Sequence, residues 1–205
     1  MNILFTGFEP FGDSNINPTE EAVREMDGSI IGNHHQFRVI GKVIPLRYHE
    51  IRNELSKLIK EFKPVAILLS GQAGGEEIRL EKNAYNESTS KVPYNCGTIV
   101  NNEILVTRGP KKLTSILPLE LFNRRLNIEK IPVKYSENAG RFGCNQIFYY
   151  ARYDHPNIPS GFIHVPLLPQ QAKKDQPSMT QETINRGLFL IISELANYLS
   201  INLIA

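Results

Sequence analysis

Short apolar runs alternate with helix-period patterns along the whole chain, and that alternation admits few folds other than an α/β architecture. The clearest run, Val65-Ala66-Ile67-Leu68-Leu69, is apolar without interruption, as a strand covered on both faces must be, and leads into Gly71-Gln72-Ala73-Gly74-Gly75. Upstream, a strand is predicted over Asn2 to Thr6. Asn17-Pro18-Thr19-Glu20-Glu21 then supplies an N-cap, a first-turn proline and two acids, predicting a helix to about Asp27 with Gly28 as its stop. A second strand runs from about Phe37 to Pro45, and Ile51, Leu55, Leu58, Ile59 and Phe62 recur at helical spacing. Beyond the central strand, the pattern predicts a helix over Leu119 to Leu126, a strand over Ile131 to Tyr135, a helix over Cys144 to Tyr153 and a strand over Gly161 to Val165 closed by Pro166. Ser178-Met179-Thr180-Gln181 has the form of a capping box, and Ile184, Leu188, Ile191, Leu195 and Leu199 form one stripe of a long amphipathic helix. The segment from Ile78 to Thr107, rich in Asn, Ser and Gly, is predicted to be the least regular and to cover one end of the sheet.

With 205 residues and 41% hydrophobic content, the chain can build one sizeable core, and a single domain over residues 1–205 is expected. A net charge of +2 is too small to argue for a nucleic-acid surface, and the pairs Lys111-Lys112, Arg124-Arg125 and Lys173-Lys174 are those of solvated faces. Two cysteines, with Cys96 in the turn-like Pro93-Tyr94-Asn95-Cys96-Gly97, make no disulfide framework, which points to a reducing compartment. The N-terminus carries neither a basic leader nor an apolar run of membrane length, so a cytoplasmic protein with no membrane partner is expected. His34, His35, His49, His155 and His164 form no i, i+4 pair or H-E-x-x-H element, and no metal site is expected.

Cys144 lies between a predicted strand and a predicted helix, which puts its thiol near a helix N-terminus. There, helped by an imidazolium, a thiol pKa drops below its ordinary value of roughly 8.5. The alternative is a buried cysteine acting as a small hydrophobe. His164 interrupts an apolar strand just before Pro166; alone it fits a satisfied core histidine, but with Cys144 upstream it fits the base of a nucleophile pair. Such a pair needs a carboxylate to orient the imidazole, and Glu81 is one candidate among many. The glycine-rich loop fits neither G-x-G-x-x-G nor a Walker loop, and Glu76-Glu77 would repel a phosphate; it is either a tight turn or a backbone that approaches an uncharged substrate.

Taken in order, Thr6-Gly7-Phe8-Glu9-Pro10-Phe11-Gly12, Asn17-Pro18, the Gly71 to Gly75 loop, the segment around Glu81, Ala139-Gly140 to Cys144-Asn145, and Gly161 to Pro166 resemble the pyroglutamyl peptidase I (pyrrolidone-carboxylate peptidase) family of cysteine peptidases. The resemblance covers nearly the whole chain. It implies a three-layer α/β/α sandwich around a twisted, mainly parallel sheet, and a Cys-His-Glu triad falling on Cys144, His164 and Glu81. It also implies removal of N-terminal 5-oxoproline from peptides without metal or cofactor, by a homo-oligomer, tetramer or dimer. The chain departs from the family pattern at Arg79, Asn83, Lys91, Tyr94, Tyr135, Asn138 and Gly143. Phe8 and Phe11 are candidate walls of an apolar slot for the lactam, a reading that competes with plain core packing. Gln72 and Asn17 are candidates to bind or orient the lactam, and Asn17 is equally explained as a helix N-cap. Two other functions stay open: a related N-acyl or lactam amide hydrolase, and a catalytically weak protein that binds blocked N-termini.

Overall fold

The computed structural model describes residues 1–32 and 35–202; Asn33 and His34, and with them half of the His34-His35 pair, lie outside the described residues. Its elements in order are β1 (Asn2–Phe8), α1 (Pro18–Met26), β2 (Ile30–Ile31), β3 (Phe37–Ile44), α2 (Ile51–Phe62), β4 (Ala66–Gln72), β5 (Ile78–Glu81), β6 (Asn83–Tyr85), β7 (Lys112–Thr114), α3 (Leu119–Ile128), β8 (Val133–Ser136), α4 (Gly143–Asp154), β9 (Ser160–Val165) and α5 (Gln181–Asn202). Seven strands form one mixed sheet in the order β2-β3-β1-β4-β9-β5-β8, and β6 pairs with β7 apart from it. Within the seven-stranded sheet the pairings are parallel except for the short edge strand β2 on β3 and β5 on β9.

Alternation of side chains along the strands sorts the core into two layers. Ile3, Phe5, Ala66, Leu68, Leu80, Ile163 and Val165 pack under α1, α3 and α5, with Ala22, Val23, Phe122, Leu126, Ile184, Leu188 and Ile191. Leu4, Phe8, Ile67, Leu69 and Phe162 face the other way, against Ile51, Leu55, Ile147, Phe148 and Ala151 of α2 and α4. The result is the expected α/β/α sandwich.

Two local expectations change. Glu81 does not belong to a loop covering the sheet: Ile78–Glu81 is a strand inside it, with Ile78, Leu80 and Glu81 buried. Composition hid it, because a four-residue strand is too short to show a period and its polar flanks resemble a loop. The cap of α5 is Thr180 rather than Ser178: the Thr183 amide donates to Thr180 Oγ1 at 3.3 Å and the Ile184 amide to Thr180 O at 3.0 Å.

Topology also marks where a ligand belongs. From β1 the chain crosses through α1 to β3 on one side, then through α2 to β4 on the other, so the strand order reverses between β1 and β4. The two strands stay paired only as far as Thr6 and Leu69, whereas β1 continues with β3 to Phe8–Ile44 and β4 with β9 to Gln72–Val165. The pairing of β1 with β4 thus ends short of their C-termini, and the crevice outside such ends is the position at which open α/β sheets bind ligands.

Candidate active site

Register assembles the site. Residues paired in adjacent strands project from the same face, and Gly71 pairs with His164 while His164 pairs with Arg79. One residue lower, Leu69 pairs with Phe162 and Phe162 with Glu81. Glu81 is thus a diagonal cross-strand neighbour of His164, at a separation that two long side chains bridge. His164 Nδ1 and Glu81 Oε1 lie 2.8 Å apart, with Glu81 wholly buried and His164 5% exposed. The second carboxylate oxygen, Oε2, is buried without a hydrogen-bond partner among the described residues. Burying a carboxylate on so few bonds costs stability, and the cost is intelligible if the carboxylate serves an imidazolium.

Cys144 comes from the layer above. Gly143 and Cys144 open α4, and Phe142 at the N-cap makes no side-chain capping bond. The first intrahelical bond runs from the Gln146 amide to Phe142 O, and the Cys144 and Asn145 amides have no acceptor among the described residues. Asn145 anchors this end: its side chain accepts from the Tyr85 amide at 2.7 Å and donates to Tyr85 O and Glu87 O at 2.9 and 2.8 Å. Glycine at 71 makes room for the thiol. A β-carbon there would stand 2.8 Å from Cys144 Sγ and 2.9 Å from Phe162 Cζ, so the thiol occupies the space that a side chain at position 71 would fill, beside His164. That is why the loop begins with glycine.

The thiol itself corrects an expectation. Burial first, and the charge of Glu81 second, push Cys144 up to about 12 rather than down. Its own backbone amide at the helix start acts in the lowering direction and is outweighed. The packing around the partly buried Cys144 therefore favours its neutral thiol.

Phe8 is buried and Phe11 partly so, in the same cluster as Cys144 and Phe142. Phe11 and Phe142 have ring centroids 5.7 Å apart, and Tyr94 lies 4.3 Å from Phe142. The two predicted phenylalanines thus share a wall with two aromatics that the sequence did not single out as wall residues. Asn17 caps α1: Oδ1 accepts from the Thr19 amide and hydroxyl at 3.0 and 2.8 Å, while Nδ2 donates to Glu9 O at 3.2 Å. Its amide is occupied in shaping the segment that carries Phe8 and Phe11. Gln72 Oε1 accepts from Gln171 Nε2 at 3.0 Å, and Gln171 also binds Ser14 Oγ, Ile16 O and the Leu168 amide. Glu9 was also missed: its Oε1 accepts from the Leu46 amide at 2.9 Å and from Asn95 Nδ2 at 2.7 Å, tying the loop that holds Tyr94 to the end of β1. No periodicity signals such tethers, because both partners lie in irregular chain far apart in sequence.

The family model for pyroglutamyl peptidase matches residues 1–198. The pyrrolidone-carboxylate peptidase of Bacillus cereus is 36% identical over 197 residues, covering 93% of this chain and 90% of the relative. That of Coprothermobacter proteolyticus is 36% identical over 202 residues, covering 95% and 96%. Among solved structures, pyroglutamyl peptidase I of Bacillus amyloliquefaciens superposes with a TM-score of 0.90 at 31% identity, over 96% of this chain and 97% of that one. Pyrrolidone carboxyl peptidase of Pyrococcus furiosus superposes with a TM-score of 0.91 at 32% identity, over 97% and 100%. By sequence along nearly its whole length and by the shape of its sheet and helices, the chain belongs to the pyroglutamyl peptidase family of cysteine peptidases.

Proposed function

We propose that this chain removes N-terminal pyroglutamate from peptides, with Cys144 as nucleophile, His164 as general base and then acid, and Glu81 as the carboxylate that orients His164. The observation that carries the assignment is the buried His164–Glu81 hydrogen bond, set on the same sheet face as the Gly71 gap in which the Cys144 thiol lies.

His164 takes the thiol proton as sulfur attacks the carbonyl of the pyroglutamyl residue. Glu81, held at Nδ1, directs the lone pair of Nε2 outward and stabilises the imidazolium that forms. The negative charge that develops on the former carbonyl oxygen needs donors already in place. The uncapped amides of Cys144 and Asn145 supply that role, whereas the Ala73 amide is committed to Val165 O. Collapse of the tetrahedral intermediate breaks the C–N bond, with the imidazolium proton passing to the departing amine. Water, deprotonated by His164, then cleaves the thioester. A thiol that rests protonated suits this order, because thiolate is made only when the base is positioned to hold its proton.

Selection follows from what the slot lacks. The crevice wall of Phe8, Phe11, Phe142 and Tyr94 offers apolar surface, and burying an ammonium there without a partner would cost several kcal/mol. A lactam, whose amine is already an amide, needs only ordinary hydrogen bonds. Release of a fluorogenic amine from pyroglutamyl, prolyl and glutamyl amides tests the reading: release from the pyroglutamyl amide alone is expected, and equal release from the prolyl amide would contradict it.

A further inference from the structure

Across the face that carries the site, the strand residues on the two sides of Gly71 and His164 differ in character. On one side stand Ile44 and Phe8, both buried; on the other stand Arg79 and then Lys134. Arg79 is the antiparallel, in-register partner of His164, so the two side chains leave the sheet together, with β-carbons about 5 Å apart. It sits at the start of β5, and β5 runs against β9, so it belongs to the same sheet edge as the crevice.

Among the described residues Arg79 makes no ion pair, and its side chain makes no hydrogen bond; the nearby Glu77 is taken by Lys134 at 3.0 Å. Gly75 gives it room, since a β-carbon there would come 3.2 Å from Nη2 and 3.8 Å from Cζ. Gly75 also has φ of 128°, so both its conformation and its neighbour call for glycine. A half-buried arginine with an unoccupied planar fork, beside the group that must protonate a leaving amine, is placed to meet what that amine is attached to.

Resting on the peptidase reading, we propose that Arg79 binds the carboxylate of the residue that follows pyroglutamate, so that this chain favours short pyroglutamyl peptides whose second residue is the last. The acyl ring lies on the Phe8 side of the thiol, and the leaving amine must lie on the His164 side to receive its proton. The terminal carboxylate of a single following residue is two bonds from that nitrogen and falls within the reach of the Arg79 side chain. In a longer peptide an uncharged carbonyl takes that place, and a charge-assisted bond becomes an ordinary one.

The test compares pyroglutamyl-alanine with pyroglutamyl-alaninamide, using the wild type, Arg79→Gln and Arg79→Lys, with a neutral fluorogenic pyroglutamyl amide measured alongside. The wild type should favour the free acid about tenfold in kcat/KM, chiefly through KM. Arg79→Gln should bring the ratio close to one, and Arg79→Lys should keep part of it. Half-molar salt should compress the wild-type ratio, a readout that stands even if Arg79→Gln does not fold. A wild-type ratio of one, or a preference that survives in Arg79→Gln or in salt, would overturn the proposal. Loss of release from the neutral amide in the wild type would instead overturn the peptidase reading, so the two failures are distinguishable.

Discussion

The two halves of the crevice are built differently. Glu81 and His164 lie on adjacent strands, are buried, and meet through one direct hydrogen bond whose geometry follows from register. Tyr94 and Phe11 lie on irregular chain, and their positions depend on a tether, Glu9 to Asn95 and the Leu46 amide, that joins segments distant in sequence. On the proposed reading, the chemical half thus stands on paired strands and the selecting half on loops.

Substitutions should separate the halves by kind of effect. The largest is Cys144→Ala, which should abolish amine release while leaving the fold intact, measured by turnover and circular dichroism. Glu81→Gln should lower kcat by about three orders of magnitude with little change in KM, because the orienting bond acts on the base and not on substrate. Gly71→Ala is next. Its methyl would stand 2.8 Å from Cys144 Sγ, so the thiol or the Phe162 ring must move, and a nucleophile displaced by a fraction of an ångström should cost about 10²-fold in kcat. Glu9→Ala acts on the other half: it removes both acceptor bonds at Oε1 and should raise KM about fivefold with kcat nearly unchanged. If Glu9→Ala lowered kcat as much as Gly71→Ala, the division into chemical and selecting halves would fail.

Alkaline pH sharpens the same contrast. Cys144 is held up to about 12 by burial and by Glu81, so the thiolate is scarce near neutrality and grows as pH rises towards that value. Cys96, exposed and beside Thr98 Oγ1, is shifted the other way. In the absence of substrate, iodoacetamide should therefore alkylate Cys96 first at pH 7, with Cys144 gaining rate only at alkaline pH, as read by peptide mapping. The folded state also favours the neutral thiol of Cys144, so its contribution to stability is complete below roughly pH 8.5 and is lost as pH rises through about 12.

What the sequence made legible follows the same division. Long, periodic elements were readable: α5 buries Ile184, Leu188, Ile191, Leu195 and Leu199, the very stripe its spacing predicts, and the apolar run before Gly71 is the centre of the sheet. Cys144 at a helix start and His164 on a strand before Pro166 were readable because each breaks the pattern around it. Glu81 was not, since nothing in four residues tells a buried strand acid from a surface one; only resemblance singled it out. The raised direction of the thiol's pKa was not legible for a related reason. A helix terminus can be seen in a sequence, whereas the desolvation and the neighbouring carboxylate that outweigh it come from packing.

The central claim is that Cys144, beside His164 and within the apolar crevice, attacks the pyroglutamyl carbonyl. An affinity reagent that carries a pyroglutamyl ring on a weakly electrophilic ketone, followed by peptide mapping, tests it directly. The account predicts rapid, stoichiometric modification of Cys144 with Cys96 untouched, and its loss in Glu81→Gln. Modification of Cys96 instead, or modification of Cys144 at the same rate by a prolyl analogue, would contradict it.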